Sequence, residues 1–342
     1  MKHYIGLDIG GTKCTVVLGR TKFHRTNGES LYSKPDLIAK KTISTADFKT
    51  PELTLPVLIK QTEQILKKAN LEYSDIESIG ISCGGPIDSS KGIILSPPNL
   101  PGWDRVEIMR IISCKTGCSV YLQNDANACA LAEWKWGAGA GYDNIIFLTF
   151  GTGFGAGLIL GGKLYTGTND MAGEIGHVRI SEYGPAGFGK SGSIEGFCSG
   201  TGISQIAYTE IAAQIQQGKK VSFCDTLEEA RKITAKTVCE AARNGDQIAQ
   251  RILDISGRYL GEALSIMIDV LNPQKIIIGS IFYRCRDLLE SSLLEILNSE
   301  SLPRSLEVCS VEPAVLGEEI GNYAGIAVAA EGLLKEGQEN GK

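Results

Sequence analysis

A strand, a glycine-rich turn and a second strand occur twice in this chain, at residues 4–18 and 145–160. The first turn is Gly10-Gly11-Thr12-Lys13, and the second lies within residues 151–157. Two strands joined by a short glycine turn are typical of a β-hairpin. The 41 glycines of the chain cluster beside apolar strands, where the backbone must turn tightly or approach a ligand closely. The repeat predicts two α/β lobes of similar plan.

The length and composition indicate two domains with an ordinary hydrophobic core. The chain has 342 residues, of which 43% are hydrophobic and 21% are charged. Its net charge of −5 excludes a polycationic nucleic-acid-binding protein, and no local basic patch stands out. No run of 18 apolar residues is free of charges and glycines, and the first apolar run meets Asp8 too early for a secretory signal. We therefore expect a cytoplasmic protein with no membrane or nucleic-acid partner.

The ten cysteines lie mostly inside apolar stretches. This placement is typical of free, buried thiols in a reducing compartment rather than of a disulfide framework. Cys114 and Cys118 are the only close pair, and no second Cys or His pair follows at zinc-site spacing. We expect no zinc at that pair.

The apolar pattern predicts alternating strands and helices. Residues 20–35 are polar and aperiodic, so we expect an exposed loop there. Helical spacing or cap signals occur over 55–69, 104–118, 128–134, 203–217, 226–271 and 324–334. Short apolar strands are predicted at 79–83, 119–122 and 275–278. We expect an N-terminal α/β lobe over 1–122 and a C-terminal α/β lobe over 123–322, with a helix at 323–336 packing back on the first.

The first glycine turn has two interpretations of equal weight. Its glycines would let backbone N–H groups converge on an anion, and Thr12 adds a hydroxyl donor. Asp8, at the end of the preceding strand, could hold Mg²⁺ through water. An ordinary hairpin turn explains the same residues.

The second glycine turn repeats this pattern on the second strand pair. Gly151, Gly153 and Ala156 also match a dinucleotide-binding fingerprint, which would indicate an NAD-dependent dehydrogenase. That fingerprint must open a helix, whereas Leu158-Ile159-Leu160 continues as a strand. We therefore favour phosphate contact from a hairpin, and two such hairpins are more informative than either alone.

Two further groups of polar residues could carry chemistry. Asp125, at a strand-to-helix junction, could accept a proton from a substrate hydroxyl while Asn124 fixes that substrate. A helix N-cap is the simpler interpretation of that pair. Glu174 and His177, with Glu195 further on, would suit the dense hydroxyls of a sugar, although a structural histidine is the alternative.

Five motifs occur in an order that resembles a known family. They are Asp8-x-Gly-Gly-Thr-Lys13, Asn99-Leu-Pro-Gly-Trp103, Asn124-Asp-Ala-Asn127, Gly151-Thr-Gly-x-Gly155 and Gly173-Glu-x-Gly-His177. Their order and spacing resemble the ROK family of sugar kinases and repressors, from Tyr4 to about Leu334. The resemblance implies an α/β fold of the two-lobed, actin-like ATPase type, built from duplicated ribonuclease-H-like units with ATP and sugar in the cleft.

The resemblance also implies roles for individual residues. The catalytic base falls on Asp125. The sugar contacts fall on Gly85, Asn99, Asn124, Glu174, His177 and Glu195. The ATP and Mg²⁺ contacts fall on Asp8, Gly10, Gly11, Thr12, Lys13, Gly151, Thr152, Gly153, Gly155, Gly200, Thr201 and Gly279. The implied activity is transfer of phosphate from Mg-ATP to a hexose or N-acetylhexosamine, usually at the 6-hydroxyl, by a homodimer.

The chain departs from the family pattern at the zinc motif. The three cysteine positions of that motif are occupied by Ala186, Phe188 and Ser193. Without thiolates a tetrahedral zinc site cannot form, so we expect no zinc. We expect the 184–193 loop to be held by packing of Phe188 instead.

Other departures concern the turns and the N-terminus. Gly84-Gly85 stands where Pro-Gly is usual, which loosens that turn, and Ser280 follows Gly279 where a second glycine is common. The repressor branch carries a winged helix-turn-helix of roughly 70 residues, for which the phosphate hairpin beginning at Asp8 leaves no room. A sugar kinase is thus the predicted function. A non-catalytic sugar sensor, favoured by the lost zinc motif and Ser280, is the main alternative, and an NAD-dependent dehydrogenase is a remoter one.

Overall fold

The computed structural model describes residues 1–26 and 29–339. The strands and helices of the N-terminal half are β1 (Lys2–Ile9), β2 (Lys13–Thr21), β3 (Phe23–Thr26), β4 (Glu29–Tyr32), β5 (Asp36–Ser44), α1 (Pro51–Lys68), β6 (Ile76–Cys83), β7 (Ile87–Asp88), β8 (Ile93–Ile94), α2 (Ile108–Thr116) and β9 (Val120–Asn124). Those of the C-terminal half are α3 (Asp125–Trp136), β10 (Ile145–Phe150), β11 (Phe154–Leu160), β12 (Lys163–Tyr165), β13 (Ala186–Gly187), β14 (Lys190–Ser191), α4 (Ile194–Phe197), α5 (Gly200–Gln216), α6 (Leu227–Ala230), α7 (Ala235–Arg243), α8 (Gln247–Leu271), β15 (Lys275–Ile278), α9 (Ile281–Glu300), α10 (Pro303–Glu307), β16 (Ser310–Pro313) and α11 (Ile320–Glu339).

The two main sheets have the same topology. The first has the strand order β5-β2-β1-β6-β9, and the second has the order β12-β11-β10-β15-β16. In each sheet the first three strands form antiparallel pairs, and the last two join in parallel. The duplicated plan expected from the two hairpins is therefore present. Because β9 continues to Asn124, we propose that the lobes divide between Asn124 and Asp125 rather than two residues earlier.

Helix α11 lies against the sheet of the N-terminal half and against α3. Glycines on both sides allow the close approach: a Cβ on Gly80 would lie only 2.0 Å from the carbonyl oxygen of Gly325. A half-buried ion pair of 2.8 Å joins Lys135 on α3 to Glu331 on α11. The α3–α11 pair thus bridges the two sheets.

Two element predictions need correction, and a third is confirmed in more detail. The loop expected at 20–35 is wrong, because β3 and β4 pair antiparallel through their backbones and need no apolar alternation to do so. The helix expected at 104–118 begins only at Ile108, because the backbones of Ile94 and Val106 exchange two hydrogen bonds of 3.0 Å. The stretch 226–271 is mostly helical, as predicted, and forms three helices, of which α7 and α8 each begin at their own cap, Thr234 and Asp246.

All ten cysteines are free, and seven of them are buried. Cys114 is the exposed exception. Within residues 1–26 and 29–339, no helix is both long and apolar enough to cross a membrane.

Candidate active site

Polar residues lie at the carboxyl ends of three adjacent strands of the first sheet. β1 and β6 run parallel with Asp8 opposite Ser82, and β6 and β9 run parallel with Cys83 opposite Asn124. The Ser82 hydroxyl donates a hydrogen bond to the Asp8 carboxylate. Ligands of open α/β sheets bind beyond the carboxyl ends of the strands, so this edge is the expected place for a site.

Asn124 and Asp125 are adjacent at the start of α3, but only Asn124 is its N-cap residue. The Asn124 Oδ1 accepts hydrogen bonds from the N–H groups of Ala126 at 2.9 Å and Asn127 at 3.5 Å, so the cap interpretation holds for Asn124. Asp125 accepts from the same Ala126 N–H at 2.8 Å and keeps its side chain exposed. Protein surrounds the carboxylate although solvent reaches it, and this partial desolvation raises its pKa. Such a position is typical of the floor of a cleft.

Asp8 is a second carboxylate facing the same space. The pKa of Asp8 is raised from 3.8 to about 6, mainly by burial and also by the negative charge of Asp125, while Lys13 and the Ser82 hydroxyl act in the opposite direction. A carboxylate at this position therefore lies between a like charge and a cation.

The second glycine turn is a β-hairpin that lies against the first turn of α3. The Gly151 N–H donates to the Gly153 carbonyl at 3.1 Å, and the chain then continues as strand β11. A Cβ on Gly155 would lie 3.9 Å from the Cβ of Ala126, next to Asp125. The dinucleotide fingerprint requires a helix after this turn, so the observed strand removes the basis of the dehydrogenase alternative.

Glu174 lies within electrostatic range of Asp125, Glu195 and His177. Burial raises the pKa of Glu174, the charges of Asp125 and Glu195 raise it further, and His177 opposes them. Glu195 accepts a hydrogen bond of 3.1 Å from the N–H of Phe154, which ties it to the second hairpin. Two carboxylates and one imidazole therefore lie near one another, and such groups can make directional hydrogen bonds to hydroxyls.

The loop carrying Asn99 lies against the first glycine turn and against Gly84. A Cβ on Gly11 would lie 2.6 Å from the Asn99 carbonyl oxygen, and a Cβ on Gly84 would lie 3.4 Å from the Asn99 amide group. A Cβ on Gly85 would lie 3.2 Å from the Asn124 amide nitrogen. Close approach therefore explains Gly11, whereas a Cβ on Gly84 would make only ordinary contact with Asn99.

The predicted adenosine-side turns surround the second hairpin. The Gly200 N–H donates to the Gly151 carbonyl at 2.7 Å, and the Thr201 hydroxyl donates to the Thr152 carbonyl at 2.9 Å. The Gly279 N–H donates to Leu148 O at 3.0 Å. Ser280 has φ 59° and ψ −113°, a conformation that glycine adopts without strain and serine does not.

The positions of the lost zinc cysteines form a small hairpin, β13–β14. The Ser193 hydroxyl accepts from the N–H groups of Gly187 and Gly196, both at 3.2 Å, and the Gln205 amide pairs with the Ala186 backbone at 2.8 and 2.9 Å. Phe188 is 74% exposed, so the expectation that its packing holds the loop is wrong. Hydrogen bonds hold the loop instead. The Phe188 ring lies edge-on to the ring of His177, with 6.1 Å between the ring centroids. Among the residues the structure describes, no three His, Cys, Asp or Glu side chains are grouped to hold a metal.

Several neighbours of the site were missed from the sequence. Ser82 is the partner of Asp8, and the Thr149 hydroxyl accepts from the Gly155 N–H at 2.9 Å. Ser89 donates through its N–H and its hydroxyl to the Asp170 carboxylate, at 2.7 and 2.9 Å, and so joins the two lobes. No local pattern identifies these partners, because each pair is brought together only by the fold.

Comparison with known proteins agrees with this architecture. A sequence model of the ROK family matches residues 4–331. The glucokinase of Halalkalibacterium halodurans is 31% identical over 341 residues, which cover 99% of this chain and 96% of that protein. The crystal structure of a ROK hexokinase from Thermus thermophilus gives a TM-score of 0.75 at 26% identity, covering 97% of this chain and 99% of that one. A ROK transcriptional regulator homologous to Escherichia coli Mlc gives 0.78 at 26% identity, covering 95% and 77%. The predicted fold class, the two-lobed actin-like ATPase fold, is confirmed.

Proposed function

The chain belongs to the ROK family, and from that premise we propose that it is an ATP-dependent kinase that phosphorylates a hexose or N-acetylhexosamine, with Asp125 as general base. The observation that carries the proposal is the setting of Asp125. Its exposed carboxylate lies in the first turn of α3, next to the second glycine hairpin. The charge of Asp125 also acts on the carboxyl groups of Asp8 and Glu174. Glu174, His177 and Glu195 would hold the sugar, and the two hairpins would hold the phosphates of ATP.

The chemistry asks for few groups. Phosphoryl transfer depends mainly on positioning and on neutralising charge, and a base need only accept the proton of the attacking hydroxyl. Desolvation raises the pKa of Asp125 and so makes its carboxylate a better proton acceptor. Asn124, held by its capping hydrogen bonds, would fix the sugar beside it.

The residues near Asp8 fit a hydrated Mg²⁺. The Asp8 and Asp125 carboxylates repel each other, as the raised pKa of Asp8 indicates. Hard divalent cations prefer carboxylate oxygens and would relieve this repulsion. Asp8 would hold Mg²⁺ through water, and the ion would neutralise phosphate charge when bound.

A non-catalytic sugar sensor is the second candidate. Two observations favour it: the strained backbone at Ser280 on the proposed nucleotide side, and the similarity to a ROK transcriptional regulator. The retained Asp125 and both hairpins favour the kinase, because a sensor has no use for a base beside a triphosphate site.

An ADP-release assay over a panel of hexoses and N-acetylhexosamines separates the candidates. We expect turnover of at least one sugar, and we expect Asp125→Asn to lower kcat by about 10²–10⁴-fold while sugar affinity by calorimetry is largely kept. Asp254→Asn, on the exposed face of α8, is the matched control. Wild-type turnover by Asp125→Asn would refute the base assignment, and sugar binding without ADP release would favour the sensor.

We also propose that the protein works as a cytoplasmic homodimer. The implied family behaviour supports this, as do two apolar side chains on α8, Ile266 and Val270, that are 40% and 73% exposed. Light scattering on the purified protein should give twice the chain mass of 36.6 kDa. A monomer mass at micromolar concentration would contradict the proposal.

A further inference from the structure

Two buried amide side chains lie on either side of the Asn124-Asp125 pair. Gln123, the residue before the pair, is 8% exposed, and Asn127, in the first turn of α3, is 1% exposed. The Gln123 Oε1 accepts hydrogen bonds from the Asn124 N–H at 3.3 Å and from the Asn127 Nδ2 at 3.2 Å. One oxygen atom therefore joins the end of β9 to the first turn of α3. We call Gln123 and Asn127 the amide bracket.

The backbone donor fixes the orientation of both amides. The Asn124 N–H can only donate, so Gln123 has to turn its oxygen toward it. Asn127 then has to present its NH2 group to the same oxygen, and its own oxygen takes no part in the contact. Among the residues that the structure describes, the buried Asn127 Oδ1 has no hydrogen-bond partner. The bracket thus leaves one acceptor unsatisfied.

Asparagine is an unfavourable choice for folding at position 127. A buried carbonyl oxygen without a partner destabilises the folded state, because it has lost its hydrogen bonds to water. Alanine, the residue type at 126 and 128, has no such oxygen and a higher helix propensity. Locally unfavourable residues are expected at functional sites. The contact that only the amide can make here is its hydrogen bond to Gln123.

The amide bracket is distinct from the cap of α3. The Asn124 Oδ1 already accepts from the N–H groups of Ala126 and Asn127, as a capping side chain does. A side-chain cap also begins α7 and α8, at Thr234 and Asp246. The bracket instead ties a side chain of the first turn back to the strand, across the residue between them. That residue is Asp125.

The second sheet holds the same turn of α3 from another direction. A Cβ on Gly157, in β11, would lie only 2.4 Å from the Ala126 carbonyl oxygen. The Asp125 carboxylate accepts from the Ala126 N–H at 2.8 Å, and its side chain is exposed. Its direction therefore depends on backbone that β11 and the amide bracket hold. A catalytic group has to be placed within about 0.5 Å of its productive position.

We propose that Gln123 and Asn127 are positioning residues, which hold the Asp125 carboxylate where it accepts the proton of the sugar hydroxyl. The inference rests on the proposed function, with Asp125 as the base. The amide bracket acts through Asp125 and has no need to contact the sugar or the nucleotide.

A double-mutant cycle between the amide bracket and the base tests this. Asn127→Ala in the full-length protein should lower kcat about tenfold or more, for the panel sugar with the highest turnover, because a misplaced base transfers protons poorly. KM for MgATP should stay unchanged. In an Asp125→Asn background the same substitution should lower the remaining kcat by less than about twofold, since no base is left to position. The matched control Asn298→Ala, exposed on α9, should leave kcat unchanged in both backgrounds.

Gln123→Met tests the other half of the amide bracket. Methionine has nearly the same length as glutamine but no oxygen to accept from Asn124 and Asn127. Gln123→Met should lower kcat about as far as Asn127→Ala, and the double variant should lower it no further, because both changes remove the same hydrogen bond. Multiplied effects in the double variant would show that the two amides act independently, and would overturn the bracket.

The remaining outcomes separate this inference from the proposed function. Equal losses of kcat from Asn127→Ala in both backgrounds, or no loss in either, would overturn the positioning role. Wild-type turnover by Asp125→Asn would instead refute the base. If the wild type turns over no sugar, the kinase proposal fails, and hydrogen exchange of a peptide spanning 120–128 still tests the bracket: exchange as slow in Asn127→Ala as in the wild type would overturn it. Circular dichroism identifies misfolding, and Gln123→Met replaces Asn127→Ala in the cycle if that variant misfolds.

Discussion

Asp8→Asn should stabilise the ligand-free protein and do so in a pH-dependent way. Burial and the charge of Asp125 raise the pKa of Asp8 from 3.8 to about 6, a difference of about two pKa units. Each unit corresponds to ~1.4 kcal/mol, so the charged form of Asp8 costs the folded state about 3 kcal/mol. Asparagine has nearly the same shape and never carries that charge.

The sign of the pH dependence follows from the raised pKa. Below about pH 4, Asp8 is protonated in both the folded and the unfolded chain, and the charge costs nothing. Between about pH 4 and 6 the unfolded chain loses its proton first, so the wild type loses stability with rising pH. Above about pH 6 the cost is complete, and the difference between variant and wild type becomes constant.

Urea unfolding of wild type, Asp8→Asn and the control Asp254→Asn, without divalent cations, sugar or nucleotide, measures the effect. The free energy of unfolding of Asp8→Asn should gain on the wild type by about 3 kcal/mol from pH 4 to pH 7. The control should gain nothing comparable. A variant-to-wild-type difference that is independent of pH would refute the reasoning. The same substitution should lower kinase activity, the usual trade between stability and a strained functional site.

Other predictions concern the fold around the site. Ser89→Ala or Asp170→Asn, which weaken the hydrogen bonds between the lobes, should increase the radius of gyration of the sugar-free protein in small-angle scattering; an unchanged radius would contradict a structural role for this link. Because Phe188 is exposed, Phe188→Ala should change the free energy of unfolding by less than about 0.5 kcal/mol, but it should raise KM for sugar through the lost contact with His177. Because we expect no zinc, the chelator 1,10-phenanthroline should leave the activity of the wild type unchanged. Gly80→Ala should cost about 3 kcal/mol or more, because its Cβ would lie 2.0 Å from a backbone oxygen, whereas Gly337→Ala, with no atom within 4 Å, should be tolerated in thermal unfolding.

Local sequence patterns predicted the parts of the fold that local forces determine. The two glycine turns, with apolar strands on both sides, indicated two hairpins and a duplicated plan, and both are present. Pairing of strands without an apolar pattern was not predictable in this way. Strands β3 and β4 lie in a stretch without apolar alternation, and only their mutual hydrogen bonds define them.

Side-chain environments were harder to predict than elements. Phe188 is apolar, and burial was the natural expectation, yet the loop satisfies itself with polar partners from Ser193 and Gln205 and leaves the ring exposed. Ser280 stands where a second glycine is common in the family. The structure explains the usual glycine, because the residue at this position has a positive φ that glycine adopts freely.

The junction of β9 and α3 shows why the simpler interpretation of a motif need not exclude the functional one. From the sequence, Asn124-Asp125 was either a helix cap or a substrate-binding amide with a base. In the structure Asn124 caps the helix, and because it satisfies the first N–H groups, the Asp125 carboxylate is not consumed by capping alone and stays open to solvent. The cap also fixes the direction of the first turn and therefore of Asp125. A rigid helix start that leaves one carboxylate exposed is what the base that we propose at Asp125 would require.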